Sequence, residues 1–184
     1  MGPLFDVKNI IRYSFFVAIF VCVSCQGLQQ VAPQTTIVGN YVYEHSWDYA
    51  SPDGVGIMHC NETGTIDFQS DGTYVDKAIQ HHYHIFPDSS RVHYPMSYYC
   101  EGEWKVEDGK FLFNEHSENF SLKLVESVSN QELADFASMI VLHNTPNGKQ
   151  WFTFAIDRLD QAWFVWSYTD KSGHKTTWDM QRVR

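Results

Sequence analysis

The chain has 184 residues, with 13 Lys and Arg against 22 Asp and Glu, a formal net charge of −9 at neutral pH. No basic cluster interrupts that acidity, which makes nucleic acid and anionic membrane surfaces poor candidates as partners. Aromatic residues make up 16% of the chain, and rings on that scale can dominate the core of one domain.

The N-terminal zone, residues 1–13, carries Lys8, Arg12 and the single acid Asp6, and residues 14–23 are almost wholly apolar. A basic start, an apolar run of roughly 7–15 residues and a small residue at its exit describe a secretory signal peptide, here over residues 1–24. A membrane-spanning helix needs about 20 apolar residues, more than this run supplies. The ending Val23-Ser24-Cys25 resembles a bacterial lipobox, in which the cysteine becomes the first mature residue and carries lipid. That resemblance implies a lipid anchor at Cys25 and a place in the bacterial cell envelope, facing the periplasm or the exterior. Residues 25–38 then read as a flexible tether and 39–184 as the folded domain. An oxidising compartment permits disulfides. Cys60 and Cys100 are then either a disulfide, the expected state, or two buried thiols. A bridge over a loop of about 40 residues would contribute about 4 kcal/mol.

From residue 39 onward, turn signals divide the chain into short extended runs: Asp53-Gly54, Asp71-Gly72, Asp108-Gly109, Asn147-Gly148 and Ser172-Gly173. Asp-Gly and Asn-Gly supply the positive φ angles of tight hairpins. Three hairpins are expected. The first joins Thr65–Phe68 to Thr73–Val75. The second joins Glu103–Glu107 to Lys110–Phe113. The third joins Ala162–Tyr168 to His174–Arg182, after the run Trp151–Ile156. One helix interrupts them near 129–140. Ser129 and Glu132 form a capping box, and Leu133, Phe136, Ala137 and Ile140 recur at helical spacing. Strands at this spacing predict an all-β fold, an antiparallel barrel of about eight strands with one short helix.

The order of motifs resembles the bacterial lipocalin-like lipoproteins. The matching stretches are Gly39-Asn40-Tyr41, Thr65 to Tyr74, Gly102 to Lys110 and Thr177 to Arg182, which together span most of residues 39–184. Lipocalins usually begin the first strand with Gly-x-Trp and close with an arginine packed over that tryptophan. Here Tyr41 stands in the tryptophan position. The resemblance implies that Arg182 covers Tyr41 and seals one end of the barrel.

Two constellations bear on chemistry. In Gln80-His-His-Tyr-His-Ile85, His82 and His84 share a strand face and would hold a divalent metal if a third ligand arrived. The alternative is a pair of imidazoles hydrogen-bonded to neighbouring strands. Among the aromatics, Tyr74, Trp104, Trp166 and Trp178 are candidates for a ligand pocket in the barrel, with core packing as their other role. The pair Glu101 and Glu103 shares a strand face and reads as a solvated flank of Gly102. The chain has no Gly-x-Ser-x-Gly elbow and no phosphate-binding glycine loop. Its sequons, Asn61-Glu-Thr63 and Asn119-Phe-Ser121, are chance matches if the lipobox reading holds.

The expected function is therefore non-enzymatic and cofactor-free. It is a lipid-anchored envelope protein whose barrel takes a small apolar or aromatic-stacking ligand. The alternatives are a protein-interaction module and a metal-dependent enzyme built on His82 and His84.

Overall fold

The structure is a computed structural model that describes residues 36–126, 130–148 and 150–184. The signal segment, Cys25, most of the tether and Ser129 lie outside the described residues. The strands are β1 (Gly39–Ala50), β2 (Ile57–Phe68), β3 (Thr73–Ile85), β4 (Arg91–Glu107), β5 (Lys110–Glu115), β6 (Ser121–Leu124), β7 (Trp151–Leu159), β8 (Trp163–Thr169) and β9 (Lys175–Arg182). Among the described residues one α-helix, α1 (Gln131–Asn144), is found, and it lies between β6 and β7.

Neighbouring strands pair antiparallel around a closed circuit, β1-β2-β3-β4-β5-β7-β8-β9 and back to β1. The result is a closed eight-stranded antiparallel barrel, with β6 as a short extra strand on β4. The alternation that builds it is plain in β2, where Met58, Cys60, Glu62, Ile66 and Phe68 are buried while Asn61, Thr63 and Thr65 face out. A strand turns successive side chains to opposite faces, so one apolar parity per strand suffices to fill the interior. The tightest hairpin joins Glu107 to its partner Lys110. Asp108 (φ 51°) and Gly109 (φ 72°) both take positive φ there, as a twisted two-residue loop requires.

Two packed clusters occupy the two ends. Phe68 sits at the centre of the first, edge-on to Trp104 at 5.6 Å, Phe111 at 5.7 Å and Phe164 at 5.8 Å. Tyr41, Ile37 and Met180 complete it. The second gathers Met58, Tyr94, Met96 and Leu122 around Phe136, Ala137 and Ile140 of α1. Residues Phe136, Ala137 and Ile140 are the helical stripe read from the sequence, and α1 closes the end of the barrel opposite the Phe68 cluster. The helix is capped one residue later than the capping box predicts. Asn130 is the N-cap, and its side chain accepts from the Glu132 backbone N–H. An Asn carboxamide reaches the N2 amide in this way as readily as a serine hydroxyl.

At the first end Arg182 and Tyr41 are cross-strand partners on β9 and β1. The guanidinium lies 5.1 Å from the Tyr41 ring centroid and donates to the Tyr41 hydroxyl and the Thr36 carbonyl. The Tyr41 hydroxyl in turn donates to the Ile37 carbonyl at 2.8 Å. This relay ties the segment before β1 to the last strand across the seam. The seam is short, with three residue pairs from Tyr41↔Arg182 to Tyr43↔Met180.

The expected disulfide is not formed. Cys60 and Cys100 are both buried and both free. Cys60 faces His82 across β2 and β3, whereas Cys100 faces Asp76 across β3 and β4. Those levels differ by six residues of β3, roughly 20 Å at about 3.3 Å per residue. A disulfide needs Cα atoms within about 7 Å. The Cys60 thiol instead lies 3.8 Å from a His82 ring nitrogen, and the Cys100 thiol 4.0 Å from the Tyr74 hydroxyl.

Two outcomes follow from these contacts. Arg182→Ala should lower the unfolding free energy by about 1–2 kcal/mol in a urea titration, and an unchanged midpoint would show that the seam relay contributes no stability. In denaturant without reductant, Cys60 and Cys100 should both react with a thiol reagent, and added reductant should leave the melting temperature of the folded protein unchanged.

Candidate functional site: a carboxyl-lined barrel cavity

Between the two clusters the barrel is not filled. A cavity of about 290 Å³ remains, walled by side chains from most of the strands and by the end of α1. Its two sides differ. Strands β5 to β9 contribute Phe113, Phe154, Trp166, Trp178 and Met180, and strands β1 to β5 contribute Tyr43, Glu62, Asp76, Gln80, Tyr98 and Glu115. One wall is therefore aromatic, and the facing wall carries three carboxyl groups.

Each carboxyl meets an uncharged donor. The Tyr43 hydroxyl donates to Asp76 Oδ1 at 2.8 Å. The Gln80 Nε2 donates to Glu62 Oε1 at 3.0 Å, and the Tyr98 hydroxyl donates to Glu115 Oε1 at 3.4 Å. Among the described residues no Lys, Arg or His lines the cavity, and none pairs with these three acids. Burial strips water from the ionised form and raises a carboxyl pKa. It pushes Glu62 up and pushes Glu115 up to about 7. Asp76 is held well above the usual carboxylate range by burial first and by the charge on Glu62 second. Tyr43 and Tyr98 are also raised, chiefly by burial and then by the nearby carboxylates.

Local sequence explains how the polar wall is held. Gly64 stands opposite Tyr43 on β2, and a Cβ added there would fall 2.7 Å from the Tyr43 ring and hydroxyl. Its missing side chain gives the phenol room to reach Asp76. Glu62 is placed by a relay that starts outside the cavity. The Tyr49 hydroxyl and His82 Nδ1 are 2.9 Å apart, and His82 Nε2 is 2.8 Å from Gln80 Oε1. The Gln80 oxygen accepts, so His82 Nε2 carries the proton and Nδ1 accepts from Tyr49. The Gln80 amide then has its N–H free to donate to Glu62. Burial lowers the His82 pKa to about 4, which keeps the ring neutral and the direction of the relay fixed.

On the aromatic wall, Trp166 stacks on Phe111 with centroids 4.3 Å apart and is 4% exposed. Its indole N–H is buried and has no hydrogen-bond partner among the described residues. Buried Trp nitrogens usually find a partner, so this donor is notable beside a cavity. Trp178 stacks on His45 at 4.9 Å, and His45 stacks on Trp47 at 5.5 Å. These three rings bridge β1 and β9 above the point where their backbone pairing stops. Trp47 lines the cavity on one side and, on the other, an outer groove bounded by Glu44, Asp48 and Lys175.

The structure divides the sequence candidates. Trp166 and Trp178 line the cavity. Tyr74 and Trp104 do not, because both belong to the packed end. The Tyr74 hydroxyl donates to the Asn114 carbonyl at 2.8 Å, and the Trp104 indole donates to the Thr73 carbonyl at 2.9 Å. The metal reading of His82 and His84 is corrected as well. Both face inward and are buried, but they diverge into separate hydrogen-bond sets. His84 meets Ser51 Oγ at 3.1 Å and stacks on Phe136 at 4.6 Å. Among the described residues no three His, Cys, Asp or Glu side chains converge as metal ligands. Glu101 and Glu103 stand on the outer parity of β4, opposite Cys100, Gly102 and Trp104.

Sequence reasoning missed the carboxyl wall. The signal was present. Glu62 falls on the parity of Met58, Cys60, Ile66 and Phe68, and Asp76 on that of Tyr74 and Ala78. An acid at an inward position of a barrel strand is the mark that was available. No family model matches the chain, and no curated protein matches it.

The raised carboxyls set a pH dependence. A carboxyl with a higher pKa folded than unfolded binds its proton more tightly in the native state. Stability is then full below the unfolded value and falls as pH rises toward the folded value. For Glu115 that window runs from the ordinary 4.5 to about 7. The unfolding free energy of the wild type minus that of Glu115→Gln should fall between those limits, a difference that removes the opposite contribution of His82, whose lowered pKa makes stability rise with pH. A difference that rises across this window would contradict the burial of Glu115.

Proposed function

We propose that this protein is a non-enzymatic binding protein of the bacterial cell envelope that holds a small ring-bearing molecule inside its barrel. The observation that carries the reading is the cavity itself. Both ends of the barrel are packed, yet the middle keeps about 290 Å³ bounded by Trp166, Trp178, Phe113 and Phe154. That is at the small end of the roughly 300–1,000 Å³ usual for ligand sites. A barrel of eight strands is just wide enough either to be filled by side chains or to hold one small ligand, and here the filling is incomplete.

The envelope part of the reading rests on the apolar run before Cys25 and on the resemblance to lipocalin-like lipoproteins. A lipid on Cys25 would hold the barrel at a membrane surface. Among the described residues no helix is long and apolar enough to cross a membrane. A second reading, a protein-interaction module, has its own observation. Trp151 and Phe152 at the start of β7 are 40% and 41% exposed.

Native mass spectrometry of the full-length protein purified from its own source tests the first reading. The expected spectrum shows an acyl-modified Cys25 and a retained molecule small enough for the cavity, lost when Trp166→Ala is introduced. A bare polypeptide that also leaves its tryptophan fluorescence unchanged across a panel of small aromatic compounds would contradict it.

A further inference from the structure

We propose that the cavity selects a small organic ammonium ion with an aromatic body, its charged end seated among Glu62, Asp76 and Glu115 and its ring against Trp166 and Trp178. This rests on the ligand-binding reading above and names the chemical class of the ligand.

The argument begins with what the acidic wall lacks. Carboxyl groups removed from water are costly when ionised and uncompensated. In this barrel three of them share one cavity. Their partners are two phenols and one carboxamide. No basic side chain among the described residues faces them from any strand. The titratable groups that face Glu115 are Glu62 on β2, Tyr74 and Asp76 on β3, and Tyr98 and Cys100 on β4. Strands β7 to β9 present rings and Met180 to the cavity and no charge. An arrangement built only for packing would place apolar side chains at these inward positions, at lower cost. A cation entering the cavity supplies the missing partner for the carboxyls. Its charge also faces the π surfaces of Trp166 and Trp178, which favour cations.

The carboxyl wall and the facing rings together describe a molecule with a positive head and an aromatic body. The cavity volume restricts it to a single small ring system.

Binding of such a cation has a proton balance that a neutral ligand lacks. Glu115, pushed up to about 7 when the cavity is empty, is partly protonated at neutral pH. An ammonium ion beside it favours the carboxylate, so the Glu115 proton passes to solvent as the ligand enters. The ammonium keeps all its own protons.

The test is calorimetry of the full-length protein at pH 7 with three compounds of one shape: 4-(2-aminoethyl)phenol, its neutral analogue 4-(2-hydroxyethyl)phenol, and the anion 3-(4-hydroxyphenyl)propionate. The expected order is amine at least tenfold tighter than alcohol, with the anion weakest. Titrations in buffers of different ionisation enthalpy should show proton release with the amine and none with the alcohol. Glu115→Gln and Asp76→Asn should each reduce the preference for amine over alcohol at least tenfold. These amides remove buried charge, and the wild-type comparison of amine with alcohol stands without them. If the alcohol binds as tightly as the amine, or the amine binds with no proton release, the ammonium inference falls and the ligand-binding reading stands. If none of the three binds, both fall.

Discussion

Closing eight strands into a barrel forces every second side chain inward, and that rule acts on carboxyls as firmly as on rings. In β2 the same parity that buries Met58, Ile66 and Phe68 also buries Glu62. The strand cannot turn Glu62 out without turning the whole apolar set with it, because the side-chain period is two. The rest of the architecture accommodates this constraint. Gly64 opens space for Tyr43, and Tyr43 supplies a donor to Asp76. His82 and Gln80 supply another donor to Glu62. The cavity is the region where the two packed ends stop and these polar groups begin.

The two ends explain why the middle can stay open. The Phe68 cluster and the Arg182–Tyr41 relay make one end rigid without help from the cavity. At the other end α1 inserts Phe136, Ala137 and Ile140 against the strands, and Phe136 stacks on both His84 and Tyr94. Stability drawn from both ends leaves the central wall free to hold groups that cost stability when empty. Buried acids of this kind are more common where a partner is bound than where a core is merely packed.

Much of the fold was legible from residue types alone. Asp108-Gly109 and Asp71-Gly72 marked hairpins because few other pairs accept the backbone angles those loops need. Phe136, Ala137 and Ile140 marked the buried stripe of α1 because their spacing matches a helical turn. The seam contact of Arg182 with Tyr41 followed from the resemblance in motif order. The site was less legible. Trp166 and Trp104 look alike in sequence, since both alternate inward on aromatic strands. What separates them is height in the barrel, and height depends on strand register, which no local pattern reveals. Register also decided the cysteines. Cys60 and Cys100 both point inward, but β3 places them at different levels. His82 and His84 shared a face as expected, but Tyr49 and Gln80 satisfy the first and the loop after β1 satisfies the second.

The central claim is that the carboxyl wall lacks a cationic partner within the protein and becomes charged when a cation enters. The most direct measurement is carboxyl-carbon NMR titration of Glu115, with and without 4-(2-aminoethyl)phenol. The account predicts a titration near 7 in the empty protein, moving down when the amine is present. A Glu115 that titrates at the ordinary glutamate value in the empty protein and stays there when the amine is added would contradict it.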